Sequence, residues 1–419
     1  MVVRDATGFL CFVAALPAPS EAKRKTISDK LRASLSAYAR PDRVIIFSND
    51  PGAERLLKNP DYLIIQVNDG YCRLLDRRIV GSSWMESPVS TKNVIPRVVF
   101  ASLKGGVGRS TALVVAASDF AMRGRNVLVI DLDLEAPGLG DLILTADRKP
   151  KLGVLDYLVE NGIGGISDAT LSDFIGTSPL TVGGGGRVDV MPALGSRSIE
   201  FPENVLPKLA RSMLENLTHV ASPKSVGVQI SEMIDRFVTR ETYDVVLIDS
   251  RAGLSELAAP AVLGLGAIVL LFGTAQEQTI AGYEALFAAL KLLAIRDLEG
   301  NRSADWRLMF KPIYAKASLD AKINRRHLDD LYELFANNLY DATSLDNSPD
   351  SNLNFSADDP DAPHAPLIIP FDPRFVDFDP FRNRDHLAIS YYEQTFRSFM
   401  DGLERIIEDT DQATKGASA

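Results

Sequence analysis

The chain has only two cysteines in 419 residues, Cys11 and Cys72. That is too few for a disulfide framework, and the pair lacks the C-x-x-C spacing of zinc or iron–sulfur ligands. This usage predicts a reducing, cytoplasmic setting. Histidine is scarce as well: His219, His327, His364 and His386 are scattered, and none is read as a ligand or a base. Basic charge is in deficit, 45 Lys and Arg against 55 Asp and Glu for a net charge of −10. Such a balance argues against a surface broadly adapted to nucleic-acid phosphates, a local basic patch aside. Long apolar runs are also missing. Residues 8–16 (GFLCFVAAL), followed by Pro17-Ala18-Pro19, have no positive leader, only Arg4 beside Asp5, and are far too short to span a bilayer. They are read as a buried strand, and no other run approaches transmembrane length.

What is present is ordinary globular apolar content, 46% of residues, in a chain longer than one typical domain. One stretch organises the rest. Residues 98–133, VVFASLKGGVGRSTALVVAASDFAMRGRNVLVIDLD, read as strand, glycine-rich turn, helix and second strand. Gly105, Gly106 and Gly108 have no Cβ, so the backbone can adopt left-handed dihedrals and point successive N–H groups into one concavity. The helix beginning near Ser110 adds unpaired amides and its positive dipole end at the same place, a ready site for phosphate. Ser110 and Thr111 stand where a hydroxyl reaches a magnesium ion and an inner phosphate. A second signal lies at 243–249 (YDVVLID), where an apolar strand ending on Asp249 presents a carboxylate that can bind magnesium through water.

The ordinary phosphate-loop pattern does not fit, since it requires glycine at Leu103 and lysine at Arg109. The stretch resembles instead the deviant Walker A, K-G-G-x-G-K-[ST], of the ParA/MinD group of ATPases, over about residues 95–405. The resemblance implies a phosphate cradle formed by Gly105, Gly106, Val107, Gly108, Arg109, Ser110 and Thr111. It implies that Lys104 reaches a partner's phosphates across a nucleotide-sandwich homodimer. It places Asp131 in the outer shell of magnesium, beside Ser110 and Asp249, and makes Asp133 the carboxylate that positions the attacking water. Pro370, Phe371 and Asp372, at the end of the strand 367–370 and in the loop after it, fall where the family contacts adenine. Arg109 departs from the pattern. Arginine keeps the charge and grips oxyanions bidentately, but it is longer and planar. Nucleotide binding with slow hydrolysis is the expectation. Beyond Asp249 the chain reads Ser250-Arg251-Ala252-Gly253 rather than the usual D-T/C-P-P-G, and Arg251 has two readings: a sensor of nucleotide state, or the partner of an acidic neighbour such as Glu256.

Before this unit, residues 1–94 read as a separate small α/β domain. It has a helix over 20–39, strands at 43–48 and 62–67, a turn at Asn49-Asp50-Pro51-Gly52 and a linker over 87–96. The basic helix face with Lys23, Arg24, Lys25, Lys30 and Arg32 is read as solvated. After the unit come a helix at 153–161, a loop at 183–186, and strands at 188–192, 267–272 and 307–314. No N-K-x-D or T-K-x-D follows the last, so ATP is expected rather than GTP. Residues 341–366, with six aspartates and no Lys or Arg, read as an extended or disordered acidic insert. A terminal amphipathic helix over 386–407 offers Leu387, Tyr391, Phe396, Phe399, Leu403 and Ile406, and is followed by Glu408, Asp409 and Asp411, the wrong sign for a membrane anchor.

The expectation is therefore an α/β protein: a mostly parallel, doubly wound sheet of the P-loop NTPase type over 95–419, preceded by the 1–94 domain. Its function would be a cytoplasmic Mg²⁺- and ATP-dependent dimerising switch that hydrolyses slowly and signals to a protein partner, through residues 1–94. A DNA-associated partitioning ATPase and a non-hydrolysing nucleotide-binding scaffold are the alternatives.

Overall fold

The computed structural model describes residues 1–5, 8–60, 62–68, 70–77, 83–90, 93–163, 165–181, 185–212, 225–341 and 353–417. Residues 342–352 of the expected acidic insert, with Asp346 and Asp350, lie outside the described residues, as do His219, residues 183–184 of the expected loop and residues 91–92 of the expected linker. The strands in chain order are β1 (Val2–Arg4), β2 (Leu10–Ala14), β3 (Ile45–Phe47), β4 (Leu63–Val67), β5 (Gly70–Asp76), β6 (Arg97–Ser102), β7 (Val127–Asp131), β8 (Gly176–Thr177), β9 (Val188–Met191), β10 (Val245–Ala252), β11 (Ile268–Gly273), β12 (Phe310–Ala317) and β13 (Leu367–Pro370). The chain divides into two compact units, one of Met1–Ser87 with Ala288–Ala304, the other of Pro88–Phe287 with Asp305–Ala419. The expected boundary near residue 94 is thus joined by a second crossing of the chain at 288–304.

In the first unit a five-stranded sheet runs in the order β3-β2-β1-β5-β4. Alternation along the strands gives it two faces. Val3, Cys11, Val13, Ile46 and Leu75 pack with Ala53, while Ile45 and Phe47 pack with Phe12, Ile27, Leu31 and Leu35, the last three from the helix Glu21–Leu35. Arg24 on that helix pairs bidentately with Asp50 at 3.0 and 2.7 Å. Arg296 ties the 288–304 segment into this unit, donating to the carbonyls of Tyr62 and Met85 at 2.8 and 2.9 Å and to Ser87 Oγ at 2.5 Å.

The second unit holds the larger sheet, order β13-β12-β11-β6-β10-β7-β9-β8. Seven strands are parallel and β8 alone pairs antiparallel, with β9. This is the mostly parallel α/β architecture expected from alternating strands and helices. A parallel sheet covered on both faces needs strands that are apolar throughout. Every residue of β6, β7, β9 and β11 is buried. The helix Arg109–Met122 is buried over Ala112–Ala121, which explains its unbroken apolar run from Ala112 to Ala117, and its buried Asp119 accepts a hydrogen bond from Tyr392. Phe100 on β6 and Phe272 on β11 lie 5.7 Å apart between ring centroids, and Phe399 meets both edge-on at 6.4 and 6.2 Å.

Several local expectations are corrected. The strand expected at 307–314 begins at Phe310, because Asp305–Met309 form a 3₁₀ turn that seats Trp306 in the core. The terminal helix runs Ile389–Ala417, and Tyr392, Phe396, Phe399, Met400, Leu403 and Ile407 are buried apolar side chains along it. Tyr391 and Ile406 therefore flank the buried stripe. The described part of the acidic segment is folded in: Asp341 and Leu353 exchange hydrogen bonds of 2.9 and 2.8 Å, and buried His364 meets Tyr340 Oη at 2.7 Å. The helix Glu277–Glu299 is long and apolar enough, by length and composition, to cross a membrane, which corrects the expectation that no run approaches transmembrane length. Glu284 and Lys291 interrupt its apolar run, yet Tyr283, Leu286, Phe287, Leu290 and Leu293 are buried along one face.

Candidate functional site

Parallel pairing brings the C-terminal ends of the central strands to one edge of the sheet, and register decides which side chains meet there. Asp249 on β10 lies directly opposite Asp131 on β7 and Phe100 on β6. β10 does not stop on Asp249. It continues to Ala252 past an irregularity between Asp249 and Ala252, and the ladder resumes with Ala252 opposite Ser102. Two strands remote in sequence thereby deliver adjacent carboxylates, and β6 feeds the glycine loop beside them.

In that loop Gly106 and Gly108 have φ of 74° and 92°, the left-handed region that side-chain-bearing residues seldom adopt. Gly108 caps the helix Arg109–Met122, so the free amides of its first turn face the loop's concavity. Val107 turns its side chain into the core and anchors the loop from below. Lys104, Gly105 and Gly106 are exposed.

Arg109 does not project into the loop. Its Nε donates to Asp249 Oδ1 at 2.5 Å, Nη1 to Ser102 Oγ at 3.2 Å and Nη2 to Asp133 Oδ2 at 3.5 Å. Ser110 Oγ donates to the other oxygen of Asp249 at 2.7 Å. Asp131 Oδ1 accepts from the Asp133 backbone at 3.0 Å, while Asp131 Oδ2 is buried without a hydrogen-bond partner. Burial, and then the Asp249 charge, push Asp131 up to about 8. Burial also raises Asp249, against the opposing pull of the Arg109 charge. Of the residues singled out in the sequence, Arg109, Ser110, Asp131, Asp133 and Asp249 therefore form one cluster. Thr111 follows on the first helical turn.

The donor set suits a hard divalent cation: a hydroxyl on Ser110, the carboxylates of Asp249 and Asp131, and an orphaned buried oxygen on Asp131. Among the described residues no group of three or more His, Cys, Asp and Glu is arranged to hold a metal alone. Magnesium typically takes one or two carboxylates and completes its shell with water and phosphate oxygens, so the residues present fit that ion.

The other residues lie apart. Lys104 Nζ bonds Gln278 Oε1, at the start of the helix Glu277–Glu299. Arg251 pairs with Glu135 in the turn after β7, beyond the irregularity in β10, an acid that the sequence neighbourhood did not name. Pro370 ends β13 and Phe371 and Asp372 follow it, three interstrand spacings of about 4.8 Å from β6. Phe371 is 55% exposed, whereas Asp372 is engaged by Arg374 at 2.6 Å and by Thr395. The Arg374 hydrogen bonds hold the Asp372 carboxyl at about 2, below its ordinary 3.8. A depressed folded-state value contributes stability above the unfolded value and loses it as pH falls through the folded one. Asp372→Asn is expected to remove the part of the acid destabilisation that sets in between about pH 4 and pH 2. Melting temperatures across that range check it, and curves parallel to the parent's would refute it.

Residues missed in the sequence also bear on the loop. Lys316, with φ 52° at the end of β12, donates from Nζ to the Gly106 carbonyl at 2.6 Å. Ser102 and Gln278 hold Arg109 and Lys104. The one signal available was position: each sits at the C-terminal end of a parallel strand or in the segment after it.

Residues 98–411 match the family model described as the CobQ/CobB/MinD/ParA nucleotide binding domain. No curated protein matches the chain. Among solved structures it is similar to a ParA family ATPase from Chlorobium tepidum TLS, at 15% identity over 74% of this chain and 98% of the other, TM-score 0.45. It is similar to the septum site-determining protein MinD complexed with Mg-ADP from Pyrococcus horikoshii OT3, at 17% identity over 75% and 98%, TM-score 0.43. A cobyrinic acid a,c-diamide synthase from Mycobacterium smegmatis with bound ATP analog and magnesium matches at 17% identity over 74% and 95%, TM-score 0.41.

Proposed function

Because this chain belongs to the CobQ/CobB/MinD/ParA nucleotide-binding domain family, we propose that it is a Mg-ATP-dependent switch that dimerises around nucleotide, hydrolyses slowly and signals to a protein partner. The observation that carries the reading is the placement of a glycine loop and a helix N-terminus beside two carboxylates in register on β7 and β10. Loop amides and the first turn of the helix Arg109–Met122 would bind the β- and γ-phosphates. Magnesium, when bound, supplies charge neutralisation on the phosphate oxygens. Ser110, Asp249 and, through water, Asp131 would hold it.

Asp133, 12% exposed at its side chain and bonded to the Ala136 amide at 3.2 Å, would orient a water against the γ-phosphorus. Water then forms the new P–O bond as the bond to the β–γ bridging oxygen breaks, and ADP departs with that electron pair. Lys104 would exchange Gln278 for a partner subunit's phosphates. The 1–94 module falls outside the matched residues, and the partner-specific role is assigned to it. The two free thiols, Cys11 and Cys72, suit a reducing cytoplasm.

Sedimentation with ATP, ADP and no nucleotide tests the switch: ATP is expected to raise the mass to that of a dimer. A mass that stays monomeric in all three conditions would remove the claim. Asp133→Asn is expected to lower turnover about 100-fold while ATP affinity stays within a few-fold. A second reading, a non-hydrolysing nucleotide-binding scaffold, is favoured by the hold of Arg109 on Asp133. It requires instead that the parent and Asp133→Asn proteins both bind ATP and neither turns it over.

A further inference from the structure

The geometry points to Arg109 as the residue that keeps metal out of this site until nucleotide arrives. The inference rests on the reading of the loop as a nucleotide site and assigns the order in which its ligands enter. Asp131, Asp133 and Asp249 converge at one edge of the sheet, and their side chains are buried or nearly so. Arg109 pairs with two of them, Asp249 and Asp133. Its side chain is only 10% exposed, and its planar fork spans Asp249, Asp133 and Ser102 at once. A lysine ammonium, a compact point charge on a flexible stem, could not hold three such groups in one plane. The hydroxyl of Ser110 occupies the second oxygen of Asp249. Both oxygens of the main metal carboxylate, and the hydroxyl expected to join it, are therefore already engaged.

A divalent ion arriving alone must displace the guanidinium and leave it desolvated and unpaired, which is strongly unfavourable. It also finds no arrangement of three ligating side chains among the described residues to complete its shell. A nucleotide changes both terms. Its phosphates offer the guanidinium a bidentate oxyanion, and they supply the metal's missing oxygens. The exchange is then matched: Arg109 leaves the carboxylates for phosphate as the metal takes the carboxylates.

The test is calorimetric titration of the full chain with Mn²⁺ or Mg²⁺ alone, with the metal-induced shift in melting temperature as a second readout. The parent protein is expected to show no saturable binding in the millimolar range. Arg109→Gln, which frees the carboxylates, is expected to bind metal about tenfold tighter or better, with a matching rise in melting temperature. Arg109→Lys keeps a charge at the site but loses the three-way grip, and is expected to fall between; it serves if the glutamine variant does not fold. Metal binding to the parent without nucleotide as tight as with ADP would overturn the proposal, and so would variants no tighter than the parent. A parallel titration of the parent with Mg-ATP separates the two levels of failure. No nucleotide binding sinks the site itself, whereas normal nucleotide binding with unchanged metal affinity in the variants sinks only the role of Arg109.

Discussion

Replacing Asp249 by alanine is expected to destabilise the nucleotide-free protein by about 3–5 kcal/mol and to abolish Mg-ATP binding. Asp249 is 3% exposed at its side chain and takes the Nε of Arg109 at 2.5 Å. Removing one member of a buried pair leaves the other charge desolvated without a partner, which is where most of the loss arises. The second loss is separate, because the same carboxylate accepts the Ser110 hydroxyl and, under the proposed function, would hold magnesium. A double substitution distinguishes the two effects. Asp249→Ala with Arg109→Met removes both charges and is expected to recover most of the stability while recovering none of the nucleotide affinity. Denaturant unfolding and nucleotide titration on the three proteins read this out. A single variant as stable as the parent would mean that the pair is not formed, and a double variant that binds Mg-ATP would remove Asp249 from the site.

Phe399→Ala is expected to lower stability by about 3–5 kcal/mol, measured by chemical denaturation. Phe399 is fully buried and packs edge-on against Phe100 on β6, the strand that leads into the glycine loop, and Phe272 on the neighbouring β11. The terminal helix thus belongs to the core of the loop-bearing sheet. Truncation leaves a cavity whose walls are held by neighbouring strands and cannot easily collapse. Phe371→Ala supplies the contrast: its side chain is 55% exposed, so its effect on stability is expected within about 0.5 kcal/mol. A loss at Phe399 as small as that at Phe371 would show that the helix does not bear on the core.

The loop was legible in the sequence because its demands are local. Positive φ at Gly106 and Gly108, and a helix that starts immediately after, can be read from adjacent letters. Asp131 was legible as a strand end and Asp249 as the close of an apolar run, because parallel strands that are buried on both faces show as apolar runs, but that β10 continues past Asp249 to Ala252 was not. Other features depended on residues far apart in the chain. For Arg251 the adjacent letters offer two readings, a sensor of nucleotide state or the partner of an acidic neighbour such as Glu256, and the fold supplies Glu135 from the turn after β7. Lys316 and Gly106 are separated by 210 positions and meet only because β12 and β6 end at the same edge.

By itself, then, the order of residues determined the alternation of strands and helices, the glycine bend and the identity of the acids, since each is set by backbone sterics and apolar periodicity within a few neighbouring positions. Only the tertiary structure decided that Asp131 stands opposite Asp249 and that Arg109 turns inward to the carboxylates. Strand register and the direction of a long charged side chain are settled by what surrounds them in space, because a buried charge must find its partner wherever the fold has placed it.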